Sequence, residues 1–239
     1  MNLQGLTVQE RKDLTRSYPV LISSFPNMGK SSAVEFLPDE EKARTIIFLA
    51  EGKQLPEDRE SQYRTIYRIK TDESQKNEGN VKYLPIEQYL PTMKKAIAHD
   101  EVDRIILDSF TAFTDTLERT LVKLHNGFTV WVEYSKELYD FFSTIKEETY
   151  VHGKFVYVLG HYVPAKDKKE KDSEQFTKVA GSKHYRMVES NFNTVLTLED
   201  FKFKADNNEV FDSTRIKRSL SPFETKDNSL AELEEILTK

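Results

Sequence analysis

The sequence predicts an α/β domain with a mixed, mostly parallel central sheet flanked by helices. Three observations lead there. Short, apolar, β-branched runs recur along the chain and read as strands buried on both faces. Segments with apolar residues at helical spacing separate them, the alternation that produces parallel sheets. Shorter strands broken by turn formers follow near the end and predict an antiparallel addition at a sheet edge.

The elements follow in order. Residues 1–17 are polar and read as an N-terminal arm or short helix. Tyr18-Pro19-Val20-Leu21-Ile22-Ser23 is the first buried strand; turn formers run to Gly29, and a helix begins at Ser31 and ends near Pro38. Thr45-Ile46-Ile47-Phe48-Leu49-Ala50 is a second strand, and the alternation from Tyr63 to Ile69 a third. Ile86, Tyr89, Met93 and Ile97 mark a helix, and Arg104-Ile105-Ile106-Leu107 a strand stopping at Asp108. Leu117, Leu121 and Leu124 form a helix face, and after Asn126-Gly127 the stripe Trp131, Tyr134, Leu138, Phe141, Ile145 resumes it. The strand from Gly153 to Leu159 precedes a charged stretch, 164–178, read as a loop. Short strands are expected at 193–198, 201–204 and 213–220. Residues 18–222 thus form the core. Residues 223–239 form an acidic tail ending in a helix with Leu230, Leu233 and Ile236 on one side.

Composition narrows the chemistry. There are no cysteines, so disulfides and cysteine-bound zinc are excluded, and the five histidines are scattered without metal-ligand spacing. A net charge of −5 argues against coating duplex DNA through overall charge. No apolar stretch approaches the ~18 residues of a membrane helix. The start of the chain lacks signal-peptide character. The cytosol is the expected compartment and no membrane partner is expected.

Ser24-Phe25-Pro26-Asn27-Met28-Gly29-Lys30-Ser31 matches the phosphate-loop pattern GxxxxGK[ST], with Ser24 in place of the first glycine. The pattern follows from anion chemistry: successive backbone N–H groups curl around a phosphate, and a helix start adds its positive end. Gly29 permits close approach, Lys30 neutralises phosphate oxygens, and Ser31 offers a hydroxyl to Mg²⁺, with Ser32 beside it. Ser24 is costlier than glycine wherever φ must be positive, an effect that Pro26 offsets by stiffening the loop.

Such a loop needs a second magnesium contact at the end of a neighbouring strand. Asp108 stands there, either as that ligand or as the cap of a helix beginning at Ser109. Glu51 ends the second strand, either as the group holding the attacking water or as an exposed loop glutamate. His161 follows the strand ending at Gly160, either as a γ-phosphate contact or as a surface histidine.

The order of loop, Phe48-Leu49-Ala50-Glu51, Leu107-Asp108-Ser109 and Gly160-His161 resembles the RecA/KaiC family of ATPases. Within it, the chain looks most like the compact phage-encoded recombination proteins of the Sak-four type, often labelled phage nucleotide-binding AAA proteins. Gly181-Ser182-Lys183 is similar to the family's motif closing its second DNA-binding loop. The resemblance spans roughly residues 18–220. It implies a RecA-like fold, ATP and Mg²⁺ as ligands, a homo-oligomer, and single-stranded DNA as partner, in the cytoplasm of a host bacterium. It implies a DNA-contacting loop carrying Lys166, Lys168, Lys169, Lys171 and Lys178. It also implies a basic finger, Arg215, Lys217 and Arg218, reaching a neighbouring subunit's ATP. A solvated loop and an edge strand guarded by cations are the plain alternatives.

The leading expectation is therefore an ATPase of DNA recombination, annealing or repair. The alternative is a nucleotide-gated module with little turnover that recruits a partner such as a single-strand binding or annealing protein. A P-loop kinase fits less well, since residues 163–180 hold no arginine for a phosphate lid. A packaging or helicase motor has no extra domain to support it.

Overall fold

The computed structural model describes residues 1–35, 37–50, 52, 55, 57–164, 175–179, 188–205 and 223–239. Its strands are Val20–Ser24 (β1), Thr45–Leu49 (β2), Thr65–Ile69 (β3), Val81–Leu84 (β4), Arg104–Asp108 (β5), Phe155–Pro164 (β6), Gln175–Thr177 (β7), Thr194–Glu199 (β8), Lys202–Ala205 (β9) and Phe223–Glu224 (β10). They lie in the order β10-β9-β8-β1-β6-β5-β2-β3-β4, with β7 paired to the end of β6. The run from β8 to β4 is parallel throughout. β9, β10 and β7 join antiparallel. The chain is thus α/β, with a mixed, mostly parallel sheet flanked by helices.

Alternation along each strand sorts the core into two layers. Leu21, Phe48, Ile105, Leu107, Val156 and Val158 face one side. There they meet Tyr89–Ile97 (α5), Phe110–Leu124 (α6) and Thr129–His152 (α7). Val20, Ile22, Ile47, Leu49, Ile106, Tyr157 and Leu159 face the other. That side is covered by Lys30–Glu35 (α2) and Leu230–Leu237 (α8). Among the described residues the remaining α-helices are Val8–Leu14 (α1), Asp39–Lys42 (α3) and Glu57–Glu60 (α4). A box between Thr7 and Glu10 starts α1, each side chain satisfying the other's backbone N–H. Leu3 is buried in the second layer, so the chain's start is tied to the core.

Several elements differ from the sequence expectations. β8 lies inside the sheet between β1 and β9, not at its edge. Residues 175–177, expected in a loop, form β7, because Thr177 Oγ1 bonds Ser23 Oγ at 2.7 Å and Thr177 N donates to Glu189 Oε1 at 2.8 Å. Phe201, expected in a strand, sits in the turn before β9. Leu124 ends α6 exposed to solvent. The last helix packs its apolar side into the second layer. Ser229 caps it, which sets Leu230, Leu233 and Leu237 inward, with Leu237 in the place expected for Ile236. The strand expected at 213–220 lies outside the described residues. Among the described residues no helix is long and apolar enough to cross a membrane.

Lys154, which leads into β6, is buried and donates to the carbonyls of His99 (3.0 Å) and Val102 (2.6 Å). Burial, helped by the charge of Arg11, pushes its pKa down to about 8. The folded state therefore holds fewer protons than the unfolded chain between about pH 8 and the usual 10.5. Stability from this group rises with pH across that window and is lost as pH falls through 8. Relative to a Lys154→Met variant, urea unfolding of the wild type should gain about 2–3 kcal/mol over that window. A flat difference would contradict the burial argument.

Candidate functional site

Adjacent strands β1 and β6 send the chain in opposite directions. After β1 it crosses through α2 on one face to β2. Of the described residues between β6 and β8, Val179, Val188 and Phe192 pack on the other face, and β8 lies on the far side of β1. Ligands of open α/β sheets bind at such a switch point, beyond the carboxyl ends of the strands. The predicted loop sits there.

Ser24 is the last residue of β1 and Lys30 the first of α2. Ser24 is buried in the strand and is not among the residues with positive φ, so the expected conformational cost of serine does not arise. The left-handed positions fall instead at Asn27 (φ 66°) and Gly29 (φ 89°). Pro26 and Asn27 are exposed at the crown of the loop and Met28 is half-buried. Phe25 packs edge-on against Tyr162, ring centroids 6.0 Å apart, which ties the loop to β6.

The Lys30 ammonium folds back over this loop. Nζ donates to Ser24 Oγ (2.6 Å), Ser24 O (3.2 Å) and Phe25 O (3.2 Å). The Ser24 hydroxyl in turn donates to Phe25 O at 2.9 Å. A cation is thus held over a turn whose amides lead into a helix, the disposition that attracts a phosphate.

Ser31 Oγ donates to Asp108 Oδ2 at 2.8 Å. β6 alone separates β1 from β5, and the parallel register brings all three carboxyl ends to one edge. The helix cap that Asp108 was one candidate for belongs to Ser109, whose hydroxyl accepts from Ala112 N at 3.3 Å. The Asp108 carboxylate points to Ser31 instead. The Asp108–Ser109 peptide is cis. A hydroxyl and a carboxylate side by side are hard oxygen donors of the kind Mg²⁺ takes, with water and ligand phosphates completing its shell. The described residues contain no group of three or more His, Asp or Glu side chains that would cage a metal alone.

His161 lies within β6, not after it, and pairs in register with Ser24. Its backbone N donates to Thr111 Oγ1 at 3.1 Å, and Thr111 Oγ1 donates to Lys178 O at 3.3 Å. The Lys178 N–H donates to His161 O at 2.7 Å. The first turn of α6, β6 and the residue after β7 are thereby bound together beside the loop. The Lys178 ammonium is partly exposed and lies 3.6 Å from Asp115 Oδ2. Glu51, Lys166, Lys168, Lys169, Lys171, Lys183, Arg215, Lys217 and Arg218 fall outside the described residues.

Three residues that sequence reading missed also touch this region. Thr111 is one. Asn228, which precedes α8, donates from Nδ2 to Gly29 O (2.7 Å) and Ser32 Oγ (2.9 Å). Ser32 Oγ itself donates to Gly29 O at 2.9 Å. Phe201 lies against Gly29, so close that a Cβ on the glycine would sit 2.5 Å from its ring and 2.8 Å from Asn228 Nδ2. Gly29→Ala therefore meets both a left-handed backbone and two neighbours. It should lower stability by about 1–3 kcal/mol in thermal unfolding. Unchanged values would show that the loop is looser than these contacts imply.

No protein-family model matches the chain, and a comparison with curated proteins finds no match.

Proposed function

We propose that this chain is a RecA-like ATPase that binds Mg-ATP at the loop 24–31 and hydrolyses it, acting on single-stranded DNA in recombination, annealing or repair. The observation that carries the nucleotide reading is the 2.8 Å contact between Ser31 Oγ and Asp108 Oδ2, made beside the buried ammonium of Lys30. Two separate sequence motifs, 77 residues apart, meet there.

In this reading the loop amides and the start of α2 bind the phosphates. Lys30 exchanges its bonds to Ser24 and Phe25 for phosphate oxygens. Ser31 and Asp108 hold Mg²⁺, which when bound neutralises charge on the terminal phosphates. Glu51, two residues beyond the end of β2, is assigned to accept the proton of the attacking water. His161 and Thr111 relay the state of the terminal phosphate to the segment that follows β6. The DNA partner, the oligomer and the trans-acting basic finger rest on the family resemblance.

The test is Lys30→Ala. ATP turnover should fall to background with the fold intact by circular dichroism, and unchanged hydrolysis would remove the proposal.

A second reading has one observation of its own. The extra hydroxyl of Ser24 grips the Lys30 ammonium at 2.6 Å and competes with phosphate, which favours a nucleotide-gated module with slow turnover. Its partner, such as a single-strand binding protein, would meet the outward acidic residues Glu232 and Glu235, since the apolar face of α8 is buried. ATP binding without turnover, with or without single-stranded DNA, would select this reading.

A further inference from the structure

The hairpin between β8 and β9 turns on two residues, Asp200 (φ 49°) and Phe201 (φ 58°), with Glu199 paired to Lys202 across it. Two-residue hairpins with positive φ at both central positions favour glycine or asparagine. A phenylalanine there is unfavourable, because its Cβ crowds a left-handed backbone. Burial does not repay it, for Phe201 is 52% exposed. Backbone outliers that folding does not require gather at ligand sites.

The position of the ring says which ligand. Phe201 presses on Gly29, in the middle of the phosphate loop, and leaves the rest of its surface to solvent. From the side, buried Asn228 fixes the same glycine carbonyl and the Ser32 hydroxyl. The hairpin and the segment before α8, far apart in sequence, thus converge on one short stretch of loop. An exposed aromatic face beside an anion site suits a ligand that joins a phosphate chain to a flat ring.

We propose that Phe201 is the stacking platform for the base of a bound nucleoside triphosphate, with Asn228 positioning the loop beneath it. This rests on the nucleotide reading above and adds the base subsite to it. Stacking uses a π-face that every base has, so discrimination among bases is shallow.

The test compares ATP with inorganic tripolyphosphate by calorimetry on wild type, Phe201→Gly and Phe201→Trp. Wild type should bind ATP more tightly than tripolyphosphate. Phe201→Gly should weaken ATP about tenfold or more and leave tripolyphosphate within about twofold. Its thermal midpoint should hold or rise, because glycine suits the turn. Phe201→Trp should keep ATP affinity and show fluorescence quenching with ATP but not with tripolyphosphate. Equal weakening of both ligands by Phe201→Gly, or unchanged ATP affinity, would overturn the platform and leave the phosphate loop standing. A wild type that binds both ligands equally would do the same. A wild type that binds neither would remove the nucleotide reading and the platform together.

Discussion

Replacing Glu234 with alanine should lower stability by about 3–5 kcal/mol, the largest single effect expected outside the loop. Glu234 and Arg104 are both fully buried. Arg104 donates from Nε to Glu234 Oε1 and from Nη2 to Oε2, both at 2.6 Å, and from Nη2 to Glu41 Oε2 at 2.7 Å. Tyr157 OH donates to Glu234 Oε1 at 3.0 Å and shares a 2.8 Å bond with the Tyr18 hydroxyl. Burial disfavours the Arg104 charge, but Glu234 outweighs it and holds the guanidinium above its ordinary pKa. Burial, and then the Glu234 charge, push the phenols of Tyr18 and Tyr157 well up. Truncating Glu234 leaves the buried Arg104 cation with Glu41 as its charged partner among the described residues, a partner it shares with the Met1 ammonium at 2.8 Å, and buried charges are costly when under-paired. Urea unfolding of Glu234→Ala measures this, with a drop in thermal midpoint of the order of 10 °C. The double variant Arg104→Met/Glu234→Leu should recover most of the loss, since neither charge is then stranded. A loss under about 1 kcal/mol in the single variant would mean that water reaches the pair.

Asp108→Asn should cut Mg-dependent ATP turnover by at least about 100-fold while leaving the urea midpoint unchanged. The amide oxygen still accepts from Ser31, so the local bond and the packing of β5 survive. What is removed is the negative charge that, in the proposed reading, would hold magnesium beside the Ser31 hydroxyl. Ser31→Ala should act in the same direction and more weakly, because a neutral hydroxyl contributes less to a divalent cation than a carboxylate does. Turnover that survives in Asp108→Asn would place the metal elsewhere and leave the Ser31 contact a structural bond.

The central strands were legible in the sequence because they are buried on both faces. Ile46-Ile47-Phe48-Leu49 and Ile105-Ile106-Leu107 are continuous apolar runs whose alternation only sorts them between two layers. Val81–Leu84 was not legible, since a half-buried strand of four residues at the sheet's edge carries no such run. Gln175–Thr177 is a strand through tertiary bonds to Ser23 and Glu189, which local composition does not encode. The inward face of the last helix was misjudged by one residue, because its register follows from the cap at Ser229.

The site divides the same way. The loop with Lys30 and Ser31 is a short local pattern and Asp108 ends a separate buried strand, so each was visible in the sequence, and the structure brings Ser31 and Asp108 together. Asn228 was not, because it is 199 residues from Gly29 and nothing in its own neighbourhood marks it. Phe201 had a signal that was overlooked: Asp200-Phe201 separates two short alternating strands, the place of a hairpin turn. The conditional cost attached to Ser24 does not arise, because the left-handed positions fall at Asn27 and Gly29, which the motif alone does not tell.

The most direct test of the central claim is ATP affinity with Mg²⁺ and with EDTA, in the wild type and in Asp108→Asn. Mg²⁺ should tighten binding about tenfold or more in the wild type, and the variant should lose this gain while keeping its metal-free affinity. A magnesium effect of equal size in both proteins would contradict it.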